Sequence, residues 1–429
     1  MDKIIYLHGK PEPVALYLRI GNKGHRQLET LFGAGRLYIN RFLVDAPFYD
    51  NQRDLINTLH EDGAEIVLDT NIADLSVPGR FEGACRKIPW AIEDRPLEPR
   101  DFRPSSGIDI IERIARFAVS RQVDAVLSPS HLLEGTFDPW FTIDVESCNK
   151  LRMYLEAKGA SNISIDYPLL IPYTVFRNQE QRARIINVLK DLPFENLWLR
   201  ISHSGQMTPL GTLRYISAAH DFLQLKKPII ADCVGGLPGL AIAAFGGCGA
   251  IAHGVGEKEQ FDTSSWKKTR VEQKGGQRKR IYIPGIDRYL NEEQLETLFR
   301  ARKAYRIFAC TDRECCKRGR DDMVEFPFAH FICQRNKQLE DLSRAPGSRR
   351  AEHFLKHHVE PALSICGQAT KLKIENASLT SLLKKANKRI ETFHRVIENL
   401  LKSNQDYTIR SSTPHFRGSS LSIPRREVH

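Results

Sequence analysis

No stretch of this 429-residue sequence is apolar for long enough to cross a bilayer; the longest weakly polar run, Leu237 to Ala252, is too short and too rich in glycine. No transmembrane segment is expected. The opening MDKIIYLHGK lacks the apolar core and cleavage site of a secretory signal, so a cytoplasmic protein is expected. Acidic charge is in deficit: 52 Asp and Glu against 63 Lys and Arg leave a net charge of +11, which favours a polyanionic partner such as nucleic acid. Cysteine is sparse and uneven, nine residues with four crowded between Cys310 and Cys333. That pattern argues against an extracellular disulfide framework and for reduced thiols or a metal site. There is no internal repeat. A composition of 41% hydrophobic residues with 28 Gly and 22 Pro excludes bulk disorder and collagen-like repeats. It allows two or three domains, or one large barrel with appendages.

From Pro13 to His253, short β-branched or apolar runs alternate with amphipathic stretches of helical length, the rhythm of parallel βαβ units. Eight strands are expected: PVALYLRI from Pro13, RLYINRFLV from Arg36, EIVLD ending at Asp69, VDAVLS ending at Ser128, LLIPYTVF from Leu169, LWLRIS from Leu197, PIIADC from Pro228, and GAIAH ending at His253. Between them, the stretch from Ser106 places Ile108, Ile111, Ile114, Ala115 and Ala118 on one helical face, with Ser106 as cap. Eight strands with intervening helices predict an α/β fold, a (β/α)8 TIM barrel. The expected organisation is a catalytic barrel over 1–285 with a basic loop at 254–285, then a Cys/His metal subdomain and helix over 286–345. A helical extension over 346–409 and a disordered Ser/Arg-rich tail over 410–429 follow. Seven Lys or Arg fall between Lys267 and Arg280: Lys267, Lys268, Arg270, Lys274, Arg278, Lys279 and Arg280.

In a barrel, chemistry sits where the strands end, because the loops there converge on one mouth. That rule points at Asp69, Ser128, Ser130, His131, Ser202, Asp232 and His253. Asp69 is either a mouth carboxylate or a turn residue. Asp232 closes an apolar strand and precedes Gly235 and Gly236, where backbone can approach a flat ligand; its alternative is a buried carboxylate bonded to amides. His253 is either a catalyst or a bonded core histidine. Asp262, followed by Thr263, Ser264 and Ser265, is either reactive or a turn cap. Ser128, Ser130 and His131 either read a base edge or satisfy loop backbone. Cys310, Cys315, Cys316 and His330, with Asp312 as an alternative ligand, offer soft and borderline donors suited to tetrahedral zinc. The competing reading is packed thiols, or a set that includes Cys333.

These residues, in this order, resemble the queuine and archaeosine tRNA-guanine transglycosylase superfamily across roughly Tyr6 to Leu342. The likeness is carried by EIVLDTN at Asp69, DAVLSPSH at Ser130, LLIPYTVFRNQEQRARIINVL, VGGLPGLAIAAFGGCGAIAHG, FDTSSW at Asp262 and the late Cys/His site. In that family a (β/α)8 barrel exchanges guanine in nucleic acid for a 7-deazaguanine base. One Asp attacks the anomeric carbon to form a covalent glycosyl intermediate, another Asp handles the proton, and a zinc site of three cysteines and one histidine stabilises the fold. The resemblance therefore implies a pentosyltransferase with Asp69 as acid/base and Asp262, then Asp232, as nucleophile. Aligning VGGLPG instead puts His253 at the nucleophile position, where it suits only the proton role.

The sequence departs from the family pattern at three places. The base-reading Asp is replaced near Ser130 and His131. The C-x-C-x2-C zinc motif becomes CTDREC, with Asp312 at its middle position. The basic stretch and helical extension replace the usual tRNA-binding domain. With these departures the chain resembles the divergent branch that inserts 7-deazaguanine derivatives into DNA, which implies Zn2+, DNA and a 7-deazaguanine base as partners, with helicase or ATPase proteins and a homodimer also expected. The target guanine must leave the base stack. The seven basic residues then contact phosphates, or else form a solvated loop. Two alternatives stay open: the same chemistry on tRNA, and a catalytically inactive barrel that binds nucleic acid.

Overall fold

A computed structural model describes residues 13–22, 24–202, 208–256, 259–264, 266, 279–403 and 410–419. Eight parallel strands close into a barrel: β1 (Ala15–Ile20), β2 (Arg41–Asp45), β3 (Glu65–Asp69), β4 (Ala125–Leu127), β5 (Ser164–Pro172), β6 (Leu197–Ser202), β7 (Ile229–Asp232) and β8 (Ala250–His253). Each neighbour pairs in chain order, and β8 closes onto β1 through Leu18 opposite His253. All eight expected strands are present. The second and fifth are displaced: β2 begins only at Arg41, while β5 starts at Ser164 and turns at Tyr173 into a short helix ending at Phe176. Ser106 is not the helix cap either. Asp109 is, its carboxylate accepting the Glu112 N–H, because a β-region residue one position before Ile110 places its oxygen over the first free donors.

Side chains alternate across a strand, so every second residue faces the barrel axis. Tyr17, Leu43, Val67, Leu127, Trp198, Ile230 and Ala252 fill the middle of the barrel as one apolar cluster. Two residues further along the same strands, the inward positions are Arg19, Asp45, Asp69, Arg200 and Asp232. At the opposite end the inward layer is again charged, with Glu65 and Asp166 both fully buried beside Arg41. An apolar disc is thus clamped between two layers of buried charge.

The lower layer is completed by the far end of the chain. Arg417 puts one guanidinium nitrogen 2.8 Å and the other 3.0 Å from the two Asp166 carboxylate oxygens, and its Nε 2.8 Å from Glu65. The segment leading there lies along the strand starts: Ser411 accepts the Ile229 N–H at 2.7 Å, and the Pro414 carbonyl accepts from Arg41 at 3.0 Å. Gly249 is required beneath it, since an added Cβ would lie 2.0 Å from the Ser412 carbonyl oxygen. The expected disorder from Arg410 onward is therefore corrected for residues 410–419. Its composition is polar, but its one buried arginine answers two carboxylates that the barrel leaves unbalanced.

After β8, a hairpin of β9 (Arg280–Ile283) and β10 (Arg288–Asn291) leads into the helix Glu292–Arg300, capped reciprocally by Asn291 and Gln294. The helix Pro327–Arg344 follows, and the extension ends in the helix Ala377–Lys402, whose stripe Leu379, Leu383, Ala386, Ile390, Phe393 and Ile397 is buried. Arg389 on that helix reaches back to Asp287 at 3.0 Å, which in turn accepts the Leu237 N–H at the barrel. One continuous apolar core runs from Val14 to Leu400. Among the described residues, no helix is long and apolar enough to cross a membrane.

Candidate functional site

The mouth of the barrel holds a buried ring of three carboxylates and two guanidiniums. Register makes it compact: Asp45 lies opposite Asp69 on β2 and β3, and Arg200 opposite Asp232 on β6 and β7. Arg200 donates to Asp69 at 2.8 Å and to Asp232 at 2.6 Å; Arg19 donates to Asp69 at 2.9 Å and also to Asp45. Burial alone would weaken the Arg19 charge, but Asp45, Asp232 and Asp69 more than restore it, and its pKa lies well above the usual arginine value. Taking five charges out of water is expensive and is repaid only by close pairing. The ring also carries one more negative than positive charge. Backbone strain sits beside it: Asn71 and Cys233, both non-glycine, occupy the left-handed region at φ 53° and 57°. Two of the expected catalytic residues, Asp69 and Asp232, are thus brought together here.

Asp262 is not part of the ring. It lies exposed on the segment that crosses the mouth after β8, its carboxylate capping a turn through the Ser264 N–H at 2.9 Å. That segment is tied down on both sides. Thr263 meets the Ser202 hydroxyl at the end of β6 at 2.7 Å, and Phe261 and Trp266 pack with Ala73, Leu170 and Cys233. Among the described residues Asp262 has no cationic partner.

His253 is a correction. Ala250 and Ala252 face the barrel axis, so alternation turns His253 outward, against Phe331 on the helix Pro327–Arg344. Its Nδ1 is bonded to the Gly254 carbonyl, and burial pushes its pKa down to about 3, so it stays neutral and away from the mouth. Ser128 is likewise outward by alternation and fully buried, and Ser130 returns its hydroxyl to the Ser128 carbonyl at 3.2 Å. The glycine pair offers no open backbone to a ligand. A Cβ on Gly235 would strike Glu259 and one on Gly236 would strike Asp287, so the protein's own carboxylates occupy that space.

His131 does face a cavity. Its Nδ1 is 2.5 Å from Asp144 on the helix Pro139–Ala157, Asp144 also accepts the His131 N–H at 3.0 Å, and the ring stacks on Trp140 at 3.7 Å. Burial pushes the Asp144 carboxyl up, against the opposing pull of His131. The buried Nε2 of His131 has no hydrogen-bond partner among the described residues. The adjoining cleft has a volume of about 630 Å³ and is lined by His131, Trp140, Phe137, Gln181, Val77 and Trp266. That is the size range of small-ligand sites. Asp144 orients the imidazole as it would a proton carrier at the edge of the cleft, with Nε2 itself buried.

Further along, Cys310, Cys315, Cys316 and His330 place one donor atom each within 4.8 Å of one another. Cys315 and Cys316 Sγ are 3.6 Å apart, and each is 3.4 Å from His330 Nδ1. A tetrahedral ion with bonds of ~2.3 Å to sulfur and ~2.0 Å to nitrogen has S···S edges of ~3.8 Å and S···N edges of ~3.5 Å. Cys315, Cys316 and His330 therefore already stand at the spacing of three such corners, with Cys310 within 4.8 Å of them. The Nε2 of His330 is 3.1 Å from the Tyr282 carbonyl, which fixes that nitrogen as the protonated one and leaves the Nδ1 lone pair for a metal. Asp312 is corrected as a ligand: its carboxylate accepts the Glu314 and Cys315 N–H groups and pairs with Lys337 at 2.6 Å, capping the turn that presents the cysteines. The cluster can hold a metal ion.

Of the seven basic residues, Lys279 and Arg280 are exposed at the start of β9, and Lys267, Lys268, Arg270, Lys274 and Arg278 lie outside the described residues. Sequence reasoning missed Arg19, Asp45, Arg200, Asp144 and Trp140. A signal was present for Arg19 and Arg200: each is a lone charge at an inward position of its strand, which requires a buried partner.

No protein-family model matches the chain and no curated protein matches it. Among solved structures, it is similar to a type I 3-dehydroquinate dehydratase from Clostridium difficile at 9% identity and a TM-score of 0.36, covering 61% of this chain and 92% of that one. It is also similar to KGPDC from Streptococcus mutans at 10% and 0.33, covering 60% and 95%. The CutC protein from Streptococcus agalactiae matches at 18% and 0.34, covering 56% and 98%.

Proposed function

We propose that this protein is a transglycosylase that exchanges guanine in DNA for a 7-deazaguanine base. The observation that carries this reading is Asp262: an exposed carboxylate with no cationic partner among the described residues, on the segment that brings Trp266 into the wall of a cleft also lined by Trp140 and His131. The flipped guanosine enters that cleft. An Asp262 oxygen attacks C1′ as the C1′–N9 bond breaks, giving a glycosyl ester and a guanine that takes a proton from His131. The incoming base gives its N9 proton to His131, attacks C1′ and releases the carboxylate. Asp69 is given the proton by the family resemblance, but Arg19 and Arg200 both donate to it, which suits it to fixing the charge of the mouth. Asp232 is fully buried in the same ion pairs and ranks behind Asp262 as nucleophile for that reason.

Purified protein is to be incubated with labelled guanine and DNA or tRNA. Label entering DNA, with a protein–DNA adduct that survives denaturation, is the expected result. Label in tRNA alone would move the substrate to RNA. Binding without exchange or adduct would establish an inactive barrel, a reading favoured by the complete pairing of Asp69 and Asp232.

The metal is assigned as zinc, held by Cys310, Cys315, Cys316 and His330 as a structural ion. Purified protein should carry about one zinc per chain. Cys315→Ser should lose it and unfold at lower temperature. A metal-free preparation with an unchanged unfolding midpoint would sink the assignment.

A further inference from the structure

A second cluster of ligating side chains lies away from the mouth and from the cysteines. Asp341, in the last turns of the helix Pro327–Arg344, projects one carboxylate oxygen at two histidines of the next helical segment. The His353 Nε2 is 2.8 Å from Asp341 Oδ2, and the His358 Nε2 is 3.0 Å from the same oxygen. All three donor atoms lie within 4.8 Å of one another.

The backbone is shaped to bring this about. Residues five apart in a regular α-helix point ~140° away from each other, so His353 and His358 would not share a face. Here the segment Leu355–Val359 is a π-turn, inserted between the helices Arg350–Phe354 and Glu360–Ala369. The wider turn swings His358 round to the side of His353. Such insertions are rare and concentrate at functional sites. His357 stacks on His353 at 4.2 Å and buttresses its ring.

We propose that Asp341, His353 and His358 form a second metal site, for a late first-row divalent ion. Two imidazoles and a carboxylate suit zinc, nickel or cobalt rather than magnesium or calcium. An octahedral ion with bonds of ~2.1 Å has adjacent ligands ~3.0 Å apart, close to the two separations seen here. The side chains of His353 and Asp341 are 22% and 39% exposed, so water or an outside ligand completes the coordination. The ion ties the helix that carries His330 to the first helix of the extension, and the proposal is independent of the base-exchange reading.

The test uses the full chain with its cysteine site first loaded with zinc. Cobalt is then added and followed by calorimetry and absorption. Wild type should bind about one further equivalent without the intense absorption of cobalt–thiolate bonds. His353→Ala, His358→Ala and Asp341→Asn should each weaken that binding by more than the ~10-fold typical of losing an outer partner, with His357→Ala close to wild type. Asp341→Asn keeps side-chain size and guards against misfolding of the histidine variants. Absence of a further equivalent, thiolate absorption on binding, or equal affinity in all three ligand variants would overturn the site.

Discussion

Arg417→Ala is expected to destabilise the protein by about 3–5 kcal/mol, the usual cost of removing one partner from a buried ion pair. The carboxylates it answers are the reason. Glu65 and Asp166 are both fully buried, and without the guanidinium their partners among the described residues are Arg41, the Tyr17 hydroxyl, the Trp198 indole N–H, the Asn196 amide and the backbone N–H of residue 417. Arg417→Lys should recover less than half of the loss, because one ammonium cannot span both Asp166 oxygens and Glu65 together. Urea unfolding measures both. An Arg417→Ala midpoint equal to wild type would show that the carboxylates take up protons or water instead. Because the change lies at the end of the barrel away from the mouth, the variant should leave the charged ring at the mouth intact at temperatures where it stays folded.

Asp262→Asn is expected to lower base exchange by at least ~10^4-fold, the scale of removing a covalent nucleophile, with the unfolding midpoint unchanged. The side chain is exposed and its one described bond, from the Ser264 N–H, is kept by the Asn carbonyl. Asp232→Asn makes the opposite prediction. It takes a carboxylate from the ring and leaves the Arg200 Nε facing a neutral amide oxygen, which should cost about 1–3 kcal/mol in stability. Its activity should fall through distortion of the mouth, so part of it should return at lower temperature. Steady-state exchange and thermal unfolding, run on both variants, separate the roles. Full exchange by Asp262→Asn with none by Asp232→Asn would place the nucleophile inside the ring.

The barrel was legible because its strands differ from its helices in period, and eight apolar runs with helical spacing between them admit few other architectures. The same period held more than was read from it. Counting inward positions back from the alanines of GAIAH turns His253 away from the axis, and counting forward from Tyr17 and Trp198 puts Arg19 and Arg200 inside. That Cys310, Cys315, Cys316 and His330 cluster was legible from chemistry, since three thiols and an imidazole close in sequence suit one metal ion. Asp312 misled because a turn-capping aspartate and a ligating aspartate look alike until the amide donors are placed. Asp144 and Trp140 were hidden for another reason: they lie on a helix and become relevant only through the tertiary contact with His131. The docked tail was invisible because its attraction comes from charges about 250 and 350 residues earlier in the chain.

That docking also sets an order of events during synthesis. Glu65 and Asp166 leave the ribosome long before Arg417 is made, so a nascent chain can assemble all eight strands and still hold two acids with Arg41 alone as their cationic partner at the base of the barrel. Completion of that layer waits until Arg417 has emerged, well after all eight strands have been made.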